Sequence, residues 1–203
     1  MLTIDDRPIG SGQPCYVVAE VSANHAQDLG AALEIVRAAK RAGADAVKIQ
    51  TYTPDTLTID SNTDWFRIPA GSTWGGTTLH ELYRTAFTPW EWHVPLQECA
   101  RNEGLTFFSS AFDHSSVEFL CSLDVPAIKI ASFELVDLPL LRCVARTGKP
   151  VILSTGMATL PEVSEAVAAL REAGADDIAL LKCTSAYPAR AQDMNLQTIV
   201  HLR

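Results

Sequence analysis

From Tyr16 onward, short apolar runs alternate with amphipathic stretches of helical period. The runs are YVVAEVS (Tyr16 to Ser22), AVKIQTY (Ala46 to Tyr52), LTFFSSAF (Leu105 to Phe112), AIKIASFE (Ala127 to Glu134), PVILSTG (Pro150 to Gly156) and DIALLKCTSAYP (Asp177 to Pro188). They are nearly continuous and lack in-and-out alternation, which predicts parallel strands buried on both faces. The intervening helical segments carry their own boundaries. Thr88-Pro89-Trp90-Glu91 and Thr159-Leu160-Pro161-Glu162 read as capping boxes with an early proline. Gly43, Gly104, Gly148 and Gly174 each close a helical stretch, where glycine enters the left-handed region at least cost.

RAGADAVKIQ, around Ala44 to Gln50, is echoed by EAGADDIALLK, around Ala175 to Lys182: a helix end, a turn and a lysine-bearing strand in each case. Strand starts recur at about 21 to 30 residues, the size of one βα unit. The larger gap after Ala46 predicts an insertion, Thr53 to Phe87, rich in Thr, Asp, Trp and Gly. Ahead of the first run, the turn signals Arg7-Pro8 and Gly10-Ser11-Gly12 predict a small hairpin over residues 1–15. A doubly wound nucleotide fold requires a glycine-rich fingerprint after its first strand, and SANHAQDLG is not one. The pattern fits an α/β (β/α)8 TIM-type barrel over residues 16–203, of which six strands are visible. A closed barrel of about 250 residues needs eight. The expectation is therefore an N-terminal hairpin followed by a partial barrel without its last two units.

Composition narrows the function. The 203 residues are 47% apolar and 20% charged, enough for one sizeable core. A net charge of −8 without a basic cluster argues against a nucleic-acid partner. Five widely spaced cysteines with no C-x-x-C pair read as reduced and buried. MLTIDDRPIG lacks the features of a signal peptide, and no apolar stretch reaches bilayer length, so a soluble cytoplasmic protein without a membrane partner is expected.

Three of the five lysines, Lys48, Lys129 and Lys182, fall inside apolar strand runs. A buried ammonium needs a partner, either a carboxylate such as Glu20 or Glu134 or an anionic ligand at a barrel mouth. The runs also end in polar groups: Glu20, Gln50, Ser109, Ser110, Ser132, Glu134, Ser154, Thr155, Thr184, Ser185 and Tyr187. Hydroxyls beside lysines suit phosphate or carboxylate oxygens, and isolated carboxylates suit sugar hydroxyls or proton transfer. The five histidines show no close ligand spacing; His25, directly after the first strand, is the one of interest. Trp90 and Trp92 read as packing residues.

The ordered pieces AEVSANH (Ala19 to His25), GADAVKIQTY (Gly43 to Tyr52), TPWEWH (Thr88 to His93), FFSSAFD (Phe107 to Asp113), KIASFE (Lys129 to Glu134), STGMAT (Ser154 to Thr159) and LLKCTSAYP (Leu180 to Pro188) cover most of the chain. Together they resemble the sialic acid synthase family, and Phe133 and Lys182 favour its pseudaminic acid branch over the N-acetylneuraminate and legionaminate branches. The resemblance implies a transferase of nonulosonic acid biosynthesis. It joins phosphoenolpyruvate to an N-acetylated amino sugar, in this branch a 2,4-diacetamido-2,4,6-trideoxy hexose, and releases phosphate. It further implies that Lys48, Ser110, Lys129, Ser132, Ser154 and Ser185 hold phosphoenolpyruvate. Glu20, Gln50, Glu134 and Tyr187 would hold the sugar, with Glu20 and Glu134 as the catalytic carboxylates and Glu20 the candidate for proton transfer. Two departures are visible. Ala26-Gln27 replaces the usual Asn-Gly after Asn24-His25, and the chain lacks the barrel units that carry the family's metal-binding histidines. The divalent metal, Mn or Mg, is thus expected to be bound beyond residue 203, with a C-terminal antifreeze-like domain and a homodimer belonging to the complete protein. Residues 1–203 alone are expected to be inactive and poorly soluble. A non-catalytic remnant that keeps phosphoenolpyruvate binding is the alternative from a different class.

Overall fold

The computed structural model describes residues 2–72, 74–186 and 188–202. Two antiparallel strands, β1 (Leu2–Ile4) and β2 (Arg7–Ile9), form the expected hairpin. Its turn is not where the glycines and proline suggested. Asp5 and Asp6 both adopt positive φ, 51° and 60°, as a two-residue turn matched to strand twist demands, and aspartate tolerates that region better than most residues. Pro8 sits within β2, where a two-stranded ribbon accommodates its missing N–H.

Six parallel strands follow: β3 (Val18–Glu20), β4 (Ala46–Thr51), β5 (Thr106–Ala111), β6 (Ile128–Ile130), β7 (Val151–Ser154) and β8 (Ile178–Leu181). Their order in the sheet is their order in the chain, β3-β4-β5-β6-β7-β8. This singly wound order belongs to a (β/α) barrel; a doubly wound sheet reverses direction once. By internal contacts the chain falls into two compact units, Tyr16–Phe108, and Met1–Cys15 with Ser109–Arg203.

In the 16–108 unit, α1 (Leu29–Arg41) and α4 (His93–Asn102) accompany β3 and β4. Val36, Val47, Ile49 and Leu96 are completely buried, each contributing roughly 1.5–3 kcal/mol through removal from water. The predicted insertion has structure of its own: α2 (Pro54–Leu57), a 3-10 turn (Asp64–Phe66) and α3 (Leu79–Ala86), the last opened by a Thr78–Glu81 capping box. The Thr88 box does not form. Residues Trp90–Trp92 make a 3-10 turn, α4 starts at His93 without a side-chain cap, and the buried Thr88 hydroxyl lies 3.4 Å from His25 Nε2.

In the other unit, α5 (His114–Ser122), α6 (Leu138–Ala145) and α7 (Leu160–Glu172) alternate with β6, β7 and β8. A short α8 (Thr198–His201) comes last. Ile128, Ile130, Leu140, Leu141, Leu153 and Leu170 are fully buried here. The Thr159 box does form: Glu162 N–H donates to Thr159 Oγ1, while Thr159 N–H donates back to Glu162 Oε2 at 2.7 Å. Thr159→Ala is therefore expected to lower stability by about 1 kcal/mol, read as a shift in urea midpoint without a change in slope. Gly43, Gly104, Gly148 and Gly174 all adopt positive φ at helix ends, as the pattern predicted. The cysteines are free but less buried than expected: Cys15 is exposed and the other four are half-buried. No helix among the described residues is long and apolar enough to cross a membrane.

Candidate active site

Strand parity decides which side chains meet. In the 109–203 unit the register aligns Ser110 with Lys129, Lys129 with Ile152, and Ser154 with Leu181. Side chains alternate along a strand, so Ser110, Lys129 and Ser154 share one face and Ile128, Ile130, Val151 and Leu153 take the other. Lys129 is 6% exposed. Its Nζ donates to Ser154 Oγ at 2.6 Å and to the Ile130 carbonyl at 2.7 Å. Both of these acceptors are neutral oxygens. Ser110 and Ser154 are also buried.

The chain after β7 completes a cradle. Gly156 N–H donates to Ser132 Oγ at 3.2 Å. A Cβ at Gly156 would overlap Ser185 Oγ and stand 2.7 Å from Ser132 Oγ, so any larger residue here would force both hydroxyls to turn away. Lys129 with Ser154, and Gly156 two residues further on with Ser132 and Ser185, make a set of small polar groups fit for phosphate or carboxylate oxygens.

Glu134 lies in a 3-10 turn (Phe133–Val136) rather than at a strand end. Its Oε2 is buried without a hydrogen-bond partner. Burial pushes its pKa above the usual carboxylate range, opposed by a backbone hydrogen bond and the nearby Lys129 charge. A buried carboxyl oxygen in this state suits a hydroxyl or amide group of a ligand. Next to it, Phe133 is 72% exposed. Tyr187, expected to hold sugar, lies outside the described residues.

Lys182 does not join this group. Together with Ile178 and Leu180 it lines a cavity of about 480 Å³ shared with Val167 and Arg171 of α7, on the opposite face of β8 from Ser154. Lys182, expected at the same barrel mouth as the other strand lysines, lies against α7 instead, and it is Cys183 that stands beside Ser154, at 3.2 Å. Sequence reasoning missed Cys183 and Gly156. The period of two along β8 could have separated Cys183 from Lys182, but no local signal marked the space limit at Gly156.

In the 16–108 unit, Lys48 is buried and pairs with Glu20 at 2.9 Å, the carboxylate lying more than half exposed. The carboxylate alternative named for a buried lysine is realised here. Glu20 aligns with Lys48, and parity puts Gln50 on their face, while Thr51 turns the other way to meet His93 of α4 at 2.7 Å. His25 is buried: its Nδ1 accepts from Gln27 N–H at 3.2 Å and its ring packs edge-on against Trp92. Burial lowers its pKa. Among the described residues no group of three or more His, Cys, Asp or Glu side chains is placed to hold a metal ion. The described residues thus offer no ligand set for a divalent metal.

The NeuB family model matches residues 35–203. Pseudaminic acid synthase of Helicobacter pylori is 50% identical over 190 residues, covering 94% of this chain and 56% of that protein. Pseudaminic acid synthase of Campylobacter jejuni is 49% identical over 188 residues, covering 93% and 54%. Among solved structures, N-acetylneuraminic acid synthetase from Leptospira borgpetersenii, in complex with citrate, superposes with a TM-score of 0.86 at 29% identity, over 99% of this chain and 65% of that one. The chain spans about half the length of the curated relatives it matches. On its motifs, its strand order and these matches, the chain belongs to the NeuB family.

Proposed function

We propose that the protein carrying this chain is a pseudaminic acid synthase. Carbon 3 of phosphoenolpyruvate attacks the aldehyde carbon of the open-chain 2,4-diacetamido-2,4,6-trideoxy hexose, forming the new C–C bond. Water adds at carbon 2 of the enolpyruvate, and the C–O bond to phosphate breaks, releasing inorganic phosphate and a nonulosonic acid. The observation that carries this reading is the buried Lys129 ammonium held by Ser154 Oγ beside the Ser132–Gly156–Ser185 cradle. That arrangement suits a small anion bearing both phosphate and carboxylate. Glu134 Oε2 presents an acceptor to the sugar's hydroxyl or amide hydrogens. The exposed Phe133 ring packs against a deoxy carbon that has no hydroxyl to satisfy. The 50% identity to the Helicobacter enzyme supports the same branch.

The test is competition in one pot between the diacetamido-trideoxy sugar and N-acetylmannosamine, with phosphate release and product mass as readouts. The trideoxy sugar should be consumed first. Equal or faster use of N-acetylmannosamine overturns the branch in favour of an N-acetylneuraminate synthase, and no phosphate release with either sugar overturns the enzymatic reading.

A further inference from the structure

We infer that Cys183 is a positioning residue that sets the direction of the Ser154 hydroxyl. The inference rests on the proposed phosphoenolpyruvate site and adds a residue that the sequence did not single out.

Proton accounting carries it. The Cys183 thiol lies near two acceptors, the Leu181 carbonyl at 3.6 Å and Ser154 Oγ at 3.2 Å. The Leu181 carbonyl already accepts from Thr155 N–H at 3.0 Å and from Thr155 Oγ1 at 2.9 Å. A carbonyl oxygen has two lone pairs, and both are engaged. The single thiol hydrogen is therefore directed to Ser154 Oγ. That oxygen also accepts from Lys129 Nζ, which can only donate. With one hydrogen bond from the ammonium and one from the thiol, the two lone pairs of Ser154 Oγ are filled. Its own hydrogen is left to donate away from both, toward an oxygen of the bound anion.

Were the thiol absent, the hydroxyl would have a vacant lone pair and more than one orientation, and the ligand would have to select the donating one. The lost ordering falls on phosphoenolpyruvate alone. The side chain touches neither the reacting carbon nor the sugar in this account, so turnover at saturation should be preserved.

The experiment uses the full-length protein with Cys183→Ala, Cys183→Ser, Ser154→Ala and the double variant Cys183→Ala/Ser154→Ala, each checked for an unchanged melting profile. Cys183→Ala should raise the KM for phosphoenolpyruvate about 5-fold, the worth of one modest hydrogen bond. Its kcat and its KM for the sugar should stay within twofold. Cys183→Ser, which restores a hydrogen to donate, should bring the phosphoenolpyruvate KM back to within about twofold of the parent. In the double variant, Cys183→Ala should add nothing to the effect of Ser154→Ala, because residues acting through one hydroxyl are not additive. An additive effect, or a rise in KM that serine does not rescue, overturns the inference and assigns Cys183 to packing. If Ser154→Ala itself leaves the phosphoenolpyruvate KM unchanged, the proposed site falls and the inference with it. If Ser154→Ala raises that KM while Cys183→Ala does not, the site stands and the inference alone is overturned.

Discussion

Lys129→Ala in the full-length protein is expected to raise the phosphoenolpyruvate concentration for half-maximal rate by about 10- to 100-fold. The side chain is a buried cation whose Nζ organises Ser154 and the Ile130 carbonyl. A hydrogen bond to a charged group contributes about 1.5–3 kcal/mol, which spans this range. Alanine also removes the aliphatic stem, so Lys129→Met serves as the partner variant: it keeps the stem and loses only the charge and its hydrogens. Both should show the same loss for phosphoenolpyruvate and a smaller change for the sugar. An unchanged phosphoenolpyruvate dependence in either variant removes Lys129 from the site.

A second large effect concerns acid. His93 is completely buried and linked to Thr51 Oγ1 at 2.7 Å and to the Pro89 carbonyl at 3.3 Å. Since the carbonyl only accepts, Nδ1 carries the hydrogen and Nε2 accepts from the Thr51 hydroxyl, a neutral tautomer. Burial pushes its pKa down to about 4, partly opposed by hydrogen bonds to the Pro89 and Trp90 backbone and by the Glu91 charge. The unfolded chain binds this proton more tightly, so the contribution is complete above the ordinary histidine value of about 6.5 and is lost as pH falls toward 4. At about 1.36 kcal/mol per pH unit within that window, stability should drop by about 2 kcal/mol between pH 7 and pH 5. His93→Gln cannot titrate and should show a correspondingly flatter profile by urea denaturation at the two values. An equally steep loss in that variant assigns the acid sensitivity to other groups.

The apolar runs revealed all six parallel strands, because residues buried on both sides leave an uninterrupted hydrophobic signature. Their ends were less legible. The run over Ala127 to Glu134 resolves into the three-residue β6 and a 3-10 turn, since hydrogen-bond pairing stops before hydrophobicity does. Thr88 had the composition of a helix cap, yet its hydroxyl faces His25; a tertiary contact prevailed over a local propensity. At the candidate site, Lys129, Ser132, Ser154 and Ser185 were readable as polar residues out of place in or beside buried strands. Lys182 looked equivalent by that criterion and is not, because composition is blind to the side of the sheet on which a residue falls. Gly156 was invisible for another reason: the crowding there comes from Ser132 and Ser185, 24 and 29 positions away.

Lys182 and Cys183, adjacent just past the end of β8, turn to opposite sides, which makes this segment intolerant of changes in length. Deleting one residue from the turn at 174–177, so that the strand slips by one position against β7, would carry every following side chain to the opposite face. The thiol would then turn toward α7, and a second ammonium would arrive beside Lys129. Like charges in a confined space repel strongly, and the cavity beside α7 would lose Lys182 from its lining. A single inserted or deleted codon before this segment would therefore exchange the chemistry of its two faces at once.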